Sequence, residues 1–187
     1  MKSMADLMKP RKTVDDILNL PEGTRAELIH GEITIMTPSP FLEHQKISAR
    51  LCNALSRHCD GHACGEVLPA PMDVHLPSGD VVQPDLIFVA KERQSILQKW
   101  VHGSPDLLIE ILSPSSVDRD RFVKRDLYAQ NGVGEYWIVD PDEKTIEVFT
   151  LAGGAYVPAG YFKVGQTLLS PTLVGFALAT SDVFGAR

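Results

Sequence analysis

The sequence predicts an α/β (α+β) fold: a central mixed β-sheet flanked by helices, with an N-terminal hairpin and extra C-terminal strands. Three observations carry this expectation. Ile47, Leu51 and Leu55 recur at helical spacing within residues 41–59. Two short apolar runs, "LIFVA" at 86–90 and "LLIEIL" at 107–112, suit buried strands and fall short of ordinary helix length. From residue 44 the order reads helix, three strands, helix, strand, with further strands after it. At 187 residues, 44% of them hydrophobic, the chain can bury a sizeable core, and one domain over 13–187 is expected behind a flexible segment, 1–12.

Each element has a local reason. Thr13 is placed to cap a short helix that stops before Pro21. "RAELIHGEITIM" reads as two strands around a His30-Gly31 turn, and "TPSP" at 37–40 breaks the pattern. In the helix over 41–59, His44 and His58 flank the apolar stripe of Ile47, Leu51 and Leu55. "EVLPAPMDVHL" is strand-like but interrupted by Pro69 and Pro71, as at an edge or a bulge. A "PSGD" turn leads to "VVQPDLIFVA", then a short helix or loop over 91–104, then the buried strand "PDLLIEILS". A second helix follows, with Ser115 or Ser116 at its N-cap and Gly132 to stop it. "EYWIVDPDEKTIEVFTL" is strand, turn at Pro141-Asp142, strand, and the remainder is hairpin-like.

Composition excludes several classes. No apolar window approaches the length of a membrane span, and the N-terminus lacks the apolar stretch of a signal peptide, so the cytoplasm is the expected location. Twenty-four acidic residues against 18 Lys and Arg give a net charge of −6, without the basic surplus of a protein that coats nucleic acid. A metal-dependent enzyme acting on phosphodiesters remains compatible with that balance. The odd cysteine count argues against a disulfide framework. Cys52, Cys59 and Cys64, interleaved with His58 and His62, match no standard zinc spacing, and reduced thiols at a helix end are expected.

Glu110 is the anomaly, a carboxylate inside an apolar run, where burial costs several kcal/mol unless the charge is paired, neutralised or bound to a metal. Side chains alternate along a strand, so Asp85, Ile87 and Val89 share one face, as do Leu108, Glu110 and Leu112. If these strands pair, Asp85 and Glu110 project at neighbouring positions, and a hard divalent cation relieves their repulsion. Each acid alone also fits a structural role, Asp85 at a strand end and Glu110 paired with an arginine. Lys124 lies in line with Asp120 and Tyr128 on the second helix. Leaning toward the sheet, it would orient a nucleophile and stabilise charge on a phosphate; leaning outward, it would pair with Asp120 in solvent. Arg119, Arg121 and Arg125 offer phosphate contacts, or else a solvated face balanced by Asp118, Asp120 and Asp126. Pro105-Asp106, only four residues before Glu110, reads as a strand-entry feature.

Taken in order, "AELIHGEITIMTPSP", "HQKISARL", "VVQPDLIFVA", "PDLLIEILSPSS" and "KRDLYAQNGVGEYWIVDP" resemble the Uma family of endonucleases, a former domain-of-unknown-function family, over about residues 13–183. The resemblance implies a restriction-endonuclease-like core of the PD-(D/E)xK superfamily, α-β-β-β-α-β, with Mg²⁺ or Mn²⁺ as cofactor and DNA as substrate. It implies Asp85, Glu110 and the main-chain carbonyl of Ile111 as metal ligands, and Asp85, Glu110 and Lys124 as catalytic residues. Where the motif usually has lysine, two residues after the second acid, this chain has Leu112, and the family's displaced lysine falls on Lys124. Glu27 and His44 match polar, site-lining positions of the hairpin and the first core helix. The implied function is hydrolysis of DNA phosphodiester bonds, with a homodimer suited to cutting two strands. The alternative is a catalytically inactive nuclease fold that binds DNA or a protein.

Overall fold

Residues 10–36 and 41–185 are described in the computed structural model of the chain. Thr13 caps α1 (Val14–Leu18) as expected: its N–H and hydroxyl donate to the Asp16 carboxylate at 2.8 and 3.1 Å. The hairpin forms from β1 (Ala26–Ile29) and β2 (Glu32–Ile35). Its turn residues, His30 (φ 53°) and Gly31 (φ 79°), are both left-handed, as the twist of a two-residue hairpin requires. Of the segment expected to be flexible, residues 1–9 lie outside the described residues, as does the expected break at 37–40. Lys12 is tied down, its N–H donating to the Gly31 carbonyl at 2.9 Å.

α2 (Leu42–His62) buries the predicted stripe of Ile47, Leu51 and Leu55 and adds Cys59. It ends where Ala63 turns left-handed (φ 50°), which reverses the chain and brings the Cys59 and Cys64 Cα atoms within 4.8 Å. Their sulfurs meet in a disulfide, so the expectation of three reduced thiols is corrected for these two, and Cys52 is free. The odd count argued against a framework of bridges, not against one local bridge. The chain then enters β3 (Gly65–Pro69) through Gly65, where a Cβ would stand 2.1 Å from the Val89 carbonyl oxygen.

"EVLPAPMDVHL" and "VVQPDLIFVA" each supply two strands in place of one. Pro69 and Pro71 separate β3 from β4 (Val74–His75), and Gln83-Pro84-Asp85 separates β5 (Val81–Val82) from β6 (Leu86–Ala90). Proline has no N–H for the ladder, so the chain leaves one sheet and joins another at each point. A 3₁₀ turn (Lys91–Ile96) leads to β7 (Val101–His102) and β8 (Leu107–Ile111). The second helix begins at residue 117, winds as a π-helix over Arg119–Lys124 and continues as α3 (Arg125–Gln130). β9 (Glu135–Asp140), β10 (Thr145–Ala152) and β11 (Ala155–Lys163) follow, then β12 (Thr167–Leu169), β13 (Ala177–Ala179) and α4 (Thr180–Phe184).

The main sheet has the order β11-β10-β9-β8-β6-β3, antiparallel except for β8–β9. The expected α-β-β-β-α-β core is therefore α2, β3, β6, β8, the 117–130 helix and β9, with β3 at the edge as its prolines require. A second sheet, β2-β1-β5-β4-β7, extends the hairpin. One face of the main sheet packs Leu86, Phe88, Leu107, Ile109 and Trp137 against α2; the other packs Ile87, Leu108, Leu112 and Tyr136 against Leu127 and Tyr128 of α3. Among the described residues no helix is long and apolar enough to cross a membrane.

Glu135, fully buried on β9, fastens the C-terminal segment to the sheet. Its carboxylate accepts from Trp137 Nε1, the Ser170 hydroxyl (3.0 Å) and the Thr172 N–H (2.7 Å). Removing the acid leaves buried donors without an acceptor, and hydrogen bonds to charged groups are the stronger kind. Glu135→Ala is expected to lower stability by about 3 kcal/mol, read as a lower urea midpoint with the slope unchanged. A loss below about 0.5 kcal/mol, the range of ordinary surface changes, would contradict this role.

Candidate active site

β6 and β8 pair with Leu86 opposite Ile109 and Ile87 opposite Leu108. The same register carried one residue further puts Asp85 opposite Glu110, at the mouth of the two strands. Pro84 ends the pairing there, and Asp85 turns its carboxylate across the gap: Oδ2 accepts from the Ile111 N–H at 2.7 Å and lies 3.2 Å from His44 Nε2. His44 comes from the first turn of α2, one turn before the core residue Ile47.

Glu110 is 4% exposed and points, with Leu108 and Leu112, toward the 117–130 helix. Its Oε1 accepts from Lys124 Nζ at 2.9 Å and from the Tyr128 hydroxyl at 2.6 Å. Lys124, 2% exposed, leans toward the sheet, the first of its two readings, and not into solvent. Its amine also lies 2.8 Å from Glu27 Oε1 and 3.4 Å from Asp120 Oδ1. Glu27 reaches it because β1 alternates: Leu28 packs with Ile17 and Val81, which turns Glu27 to the opposite side. Glu27 Oε1 also accepts from the Gln83 N–H at 3.1 Å, while its buried Oε2 has no hydrogen bond and only Arg119 Nη1 at 3.5 Å. Asp120 Oδ1 is likewise buried without a hydrogen bond. The π-helical turn that presents Asp120 and Lys124 is held by the Tyr136 hydroxyl, which donates to the Asp120 carbonyl at 3.0 Å. Such turns are frequent at functional sites.

The sequence-predicted residues Glu27, His44, Asp85, Glu110, Ile111 and Lys124 thus come together, with Arg119 beside Glu27. Arg121 and Arg125 do not join them. Arg121 is held by Glu147 and by Asp140 at 3.1 Å, and Arg125 lies over the Phe149 ring near Asp126. Leu112 is buried in the core with Leu127 and Tyr128, and its N–H donates to the Val139 carbonyl. Asp106 accepts from the Ala90 N–H at 2.8 Å and from Arg93 at 2.9 Å, the strand-entry role expected of it. Asp120 and Tyr128 are the two site members not singled out from the sequence, although their spacing with Lys124 at i−4 and i+4 was visible.

Burial pushes the Glu110 and Asp120 carboxyls up; Lys124 pulls both back down, without cancelling the effect of burial and of the neighbouring acids. Burial alone would lower Lys124, but Glu110, Glu27 and Asp120 hold it well above the usual lysine range. His44 follows the same pattern: burial would lower it, and Asp85, the Ile111 carbonyl and Asp120 raise it overall. The arrangement therefore holds a permanent ammonium in a nest of carboxylates, with an imidazole at the rim. Among the described residues no three His, Cys, Asp or Glu side chains are grouped tightly enough to hold a metal ion; the centre of the acid cluster is taken by the Lys124 amine.

A raised histidine pKa stabilises the folded state below the unfolded value, 6.5, and that contribution is lost as pH rises through the folded value. In chelator-treated protein, wild type is expected to gain stability over His44→Gln as pH falls from 8.5 to 6. Urea unfolding of the pair across that range reads it, and a stability gap independent of pH would contradict the His44–Asp85 pairing.

Comparison with known proteins follows the same lines. No curated protein matches the chain. A crystal structure described as a "putative nuclease belonging to DUF820" from Anabaena variabilis ATCC 29413 superposes with a TM-score of 0.77, at 21% identity, over 92% of this chain and 97% of that one. At that identity the likeness is one of fold. The model of the Uma2 family, described as "putative restriction endonuclease", matches residues 14–181, so nearly the whole sequence is accounted for by one family. The chain belongs to the Uma2 family.

Proposed function

We propose that the chain is a divalent-metal-dependent endonuclease that hydrolyses DNA phosphodiester bonds. Membership of a family described as putative restriction endonucleases supports nuclease action. The observation that carries the finer reading is the meeting of Asp85 and Glu110 at one strand mouth, with the Lys124 amine 2.9 Å from Glu110. Asp85, Glu110 and the Ile111 carbonyl are the donors that would hold Mg²⁺ or Mn²⁺. They fit such an ion in kind, all being hard oxygens, and Glu27 Oε2 and Asp120 Oδ1 in the same cluster are buried carboxylate oxygens that face Arg119 and Lys124 at 3.5 and 3.4 Å without a hydrogen bond. When bound, a divalent ion supplies Lewis-acid polarisation of the phosphate and makes water more acidic.

The chain's own residues do the rest. Lys124 keeps its proton, so it is no general base; it fixes the Glu110 carboxylate and lends positive charge to the scissile phosphate region. His44 Nε2, at the rim beside Asp85, is the group able to hold or release a proton near neutral pH. Arg119, 27% exposed and nearest the site, is the best placed of the three arginines to contact a phosphate. Cutting both strands calls for a second copy of the chain. One observation favours another reading: Lys124 is enclosed by acids, as suits a nuclease fold that binds DNA or protein without cutting.

Cleavage decides between them. Purified protein is expected to nick or linearise plasmid with Mg²⁺ or Mn²⁺ and to stop on chelation. Asp85→Ala and Lys124→Met, checked for folding, should each lose roughly 100-fold or more. Plasmid and single-stranded DNA left intact across a range of salt, or Asp85→Ala cutting as well as the parent, would leave the non-cutting reading.

A further inference from the structure

The acids at the site divide into two groups by what faces them. Asp85 is served by a main-chain N–H and by the His44 ring, at the rim. Glu27 and Asp120 are more deeply buried, around the Lys124 amine. That amine has three carboxylate oxygens, one from each of Glu27, Glu110 and Asp120, at 2.8, 2.9 and 3.4 Å. A shell of acidic oxygens around one small cation is the environment a hard metal ion takes. Of these three oxygens, Asp120 Oδ1 is buried without a hydrogen bond, as is one further oxygen of the nest, Glu27 Oε2, so four acceptors surround the amine's three protons.

Charge sets how many ions the whole site takes. Four carboxylates, Glu27, Asp85, Glu110 and Asp120, face two fixed cations, Lys124 and Arg119. Two negative charges remain, the charge of one divalent ion. A second divalent ion would overfill the site by two charges; with the Lys124 amine gone, three negative charges remain and two divalent ions exceed them by only one.

We infer that the Lys124 ammonium stands in for a second cation among Glu27, Glu110 and Asp120, so that the chain binds a single divalent ion, and that removing the amine opens a second ion site. Glu110 links the two positions: Lys124 and Tyr128 both bond its Oε1, which leaves Oε2 for the ion on the Asp85 side. The inference rests on the assignment of Asp85, Glu110 and Ile111 to a divalent ion, and its test separates the two.

Mn²⁺ binding is measured by calorimetric titration and by the electron paramagnetic resonance spectrum of the bound ion, on wild type, Lys124→Met and Lys124→Gln. Gln keeps an amide donor for the acids without the charge, so it carries the test if Lys124→Met fails to fold. Wild type is expected to take one ion per chain with the spectrum of an isolated Mn²⁺. Each folded variant is expected to take two, with the broadening of a neighbouring pair. Two coupled ions in wild type, or one ion in the folded variants at the wild-type affinity, would overturn the inference. No ion in wild type but one in the variants would uphold the role of Lys124 and reject instead the ion site at Asp85 and Glu110. If neither variant folds, the wild-type stoichiometry and spectrum decide.

Discussion

The buried ammonium of Lys124 is the constraint around which the site is arranged. Three acids bind it, and they come from three elements: Glu27 from the hairpin, distant in sequence, Glu110 from a central strand, and Asp120 from the helix that follows it. Each charge costs several kcal/mol to desolvate, and each is tolerable only while the others are in place. The hairpin is consequently held to the core by more than apolar packing, and the small second sheet, which β1 joins through β5, has its position fixed relative to the main one. Gln83 reinforces the arrangement, since its N–H meets the same Glu27 oxygen that holds the amine.

The same constraint gives Leu112 and Lys124 separate places in the packing. A lysine two residues after Glu110 would point from β8 into the packing between sheet and helix, where Leu112 lies with Leu127 and Tyr128. The amine arrives from the helix instead. That route brings a second acid with it, because Asp120 and Lys124 share one face, and it lets Tyr128, one turn on, share Glu110 Oε1. Lys124 is thus one part of a helix face on which Lys124 and Tyr128 both bond Glu110 and Asp120 faces the amine.

What was legible in the sequence follows from periodicity. Alternation in 107–112 put Glu110 on one face with Leu108 and Leu112, and the stripe of Ile47, Leu51 and Leu55 marked the apolar face of α2; the side of the sheet each helix covers depends on tertiary packing. Prolines marked where strands end, but not that the chain changes sheets there: β4, β5 and β7 have two residues each, too few for any period, and their pairing is set by distant partners. The π-helical winding was hidden because residues 120, 124, 127 and 128 suit the inward face of an α-helix equally well. The arginines show the same limit. Arg119, Arg121 and Arg125 look alike in sequence, yet Arg121 is taken by Asp140 and Glu147, and no local rule foretells acids on β9 and β10.

Glu27 and Glu135 sharpen the distinction between an acid that serves the fold and one that serves a site. Both are wholly buried glutamates on strands. Glu135 spends both oxygens on neutral donors, Ser170, Thr172 and Trp137, and needs nothing more. Glu27 satisfies one oxygen and leaves the other buried without a hydrogen bond, facing Arg119 at 3.5 Å. A protein that needed Glu27 only for stability would gain by completing that shell, since an unsatisfied buried oxygen costs about 1–3 kcal/mol or more when charged. The deficit recurs at Asp120 and in the same nest. Buried oxygens without hydrogen bonds gather around the Lys124 and Arg119 cations, whereas neutral donors serve both oxygens of Glu135, and that contrast sets the Glu27 cluster apart from an acid held for stability alone.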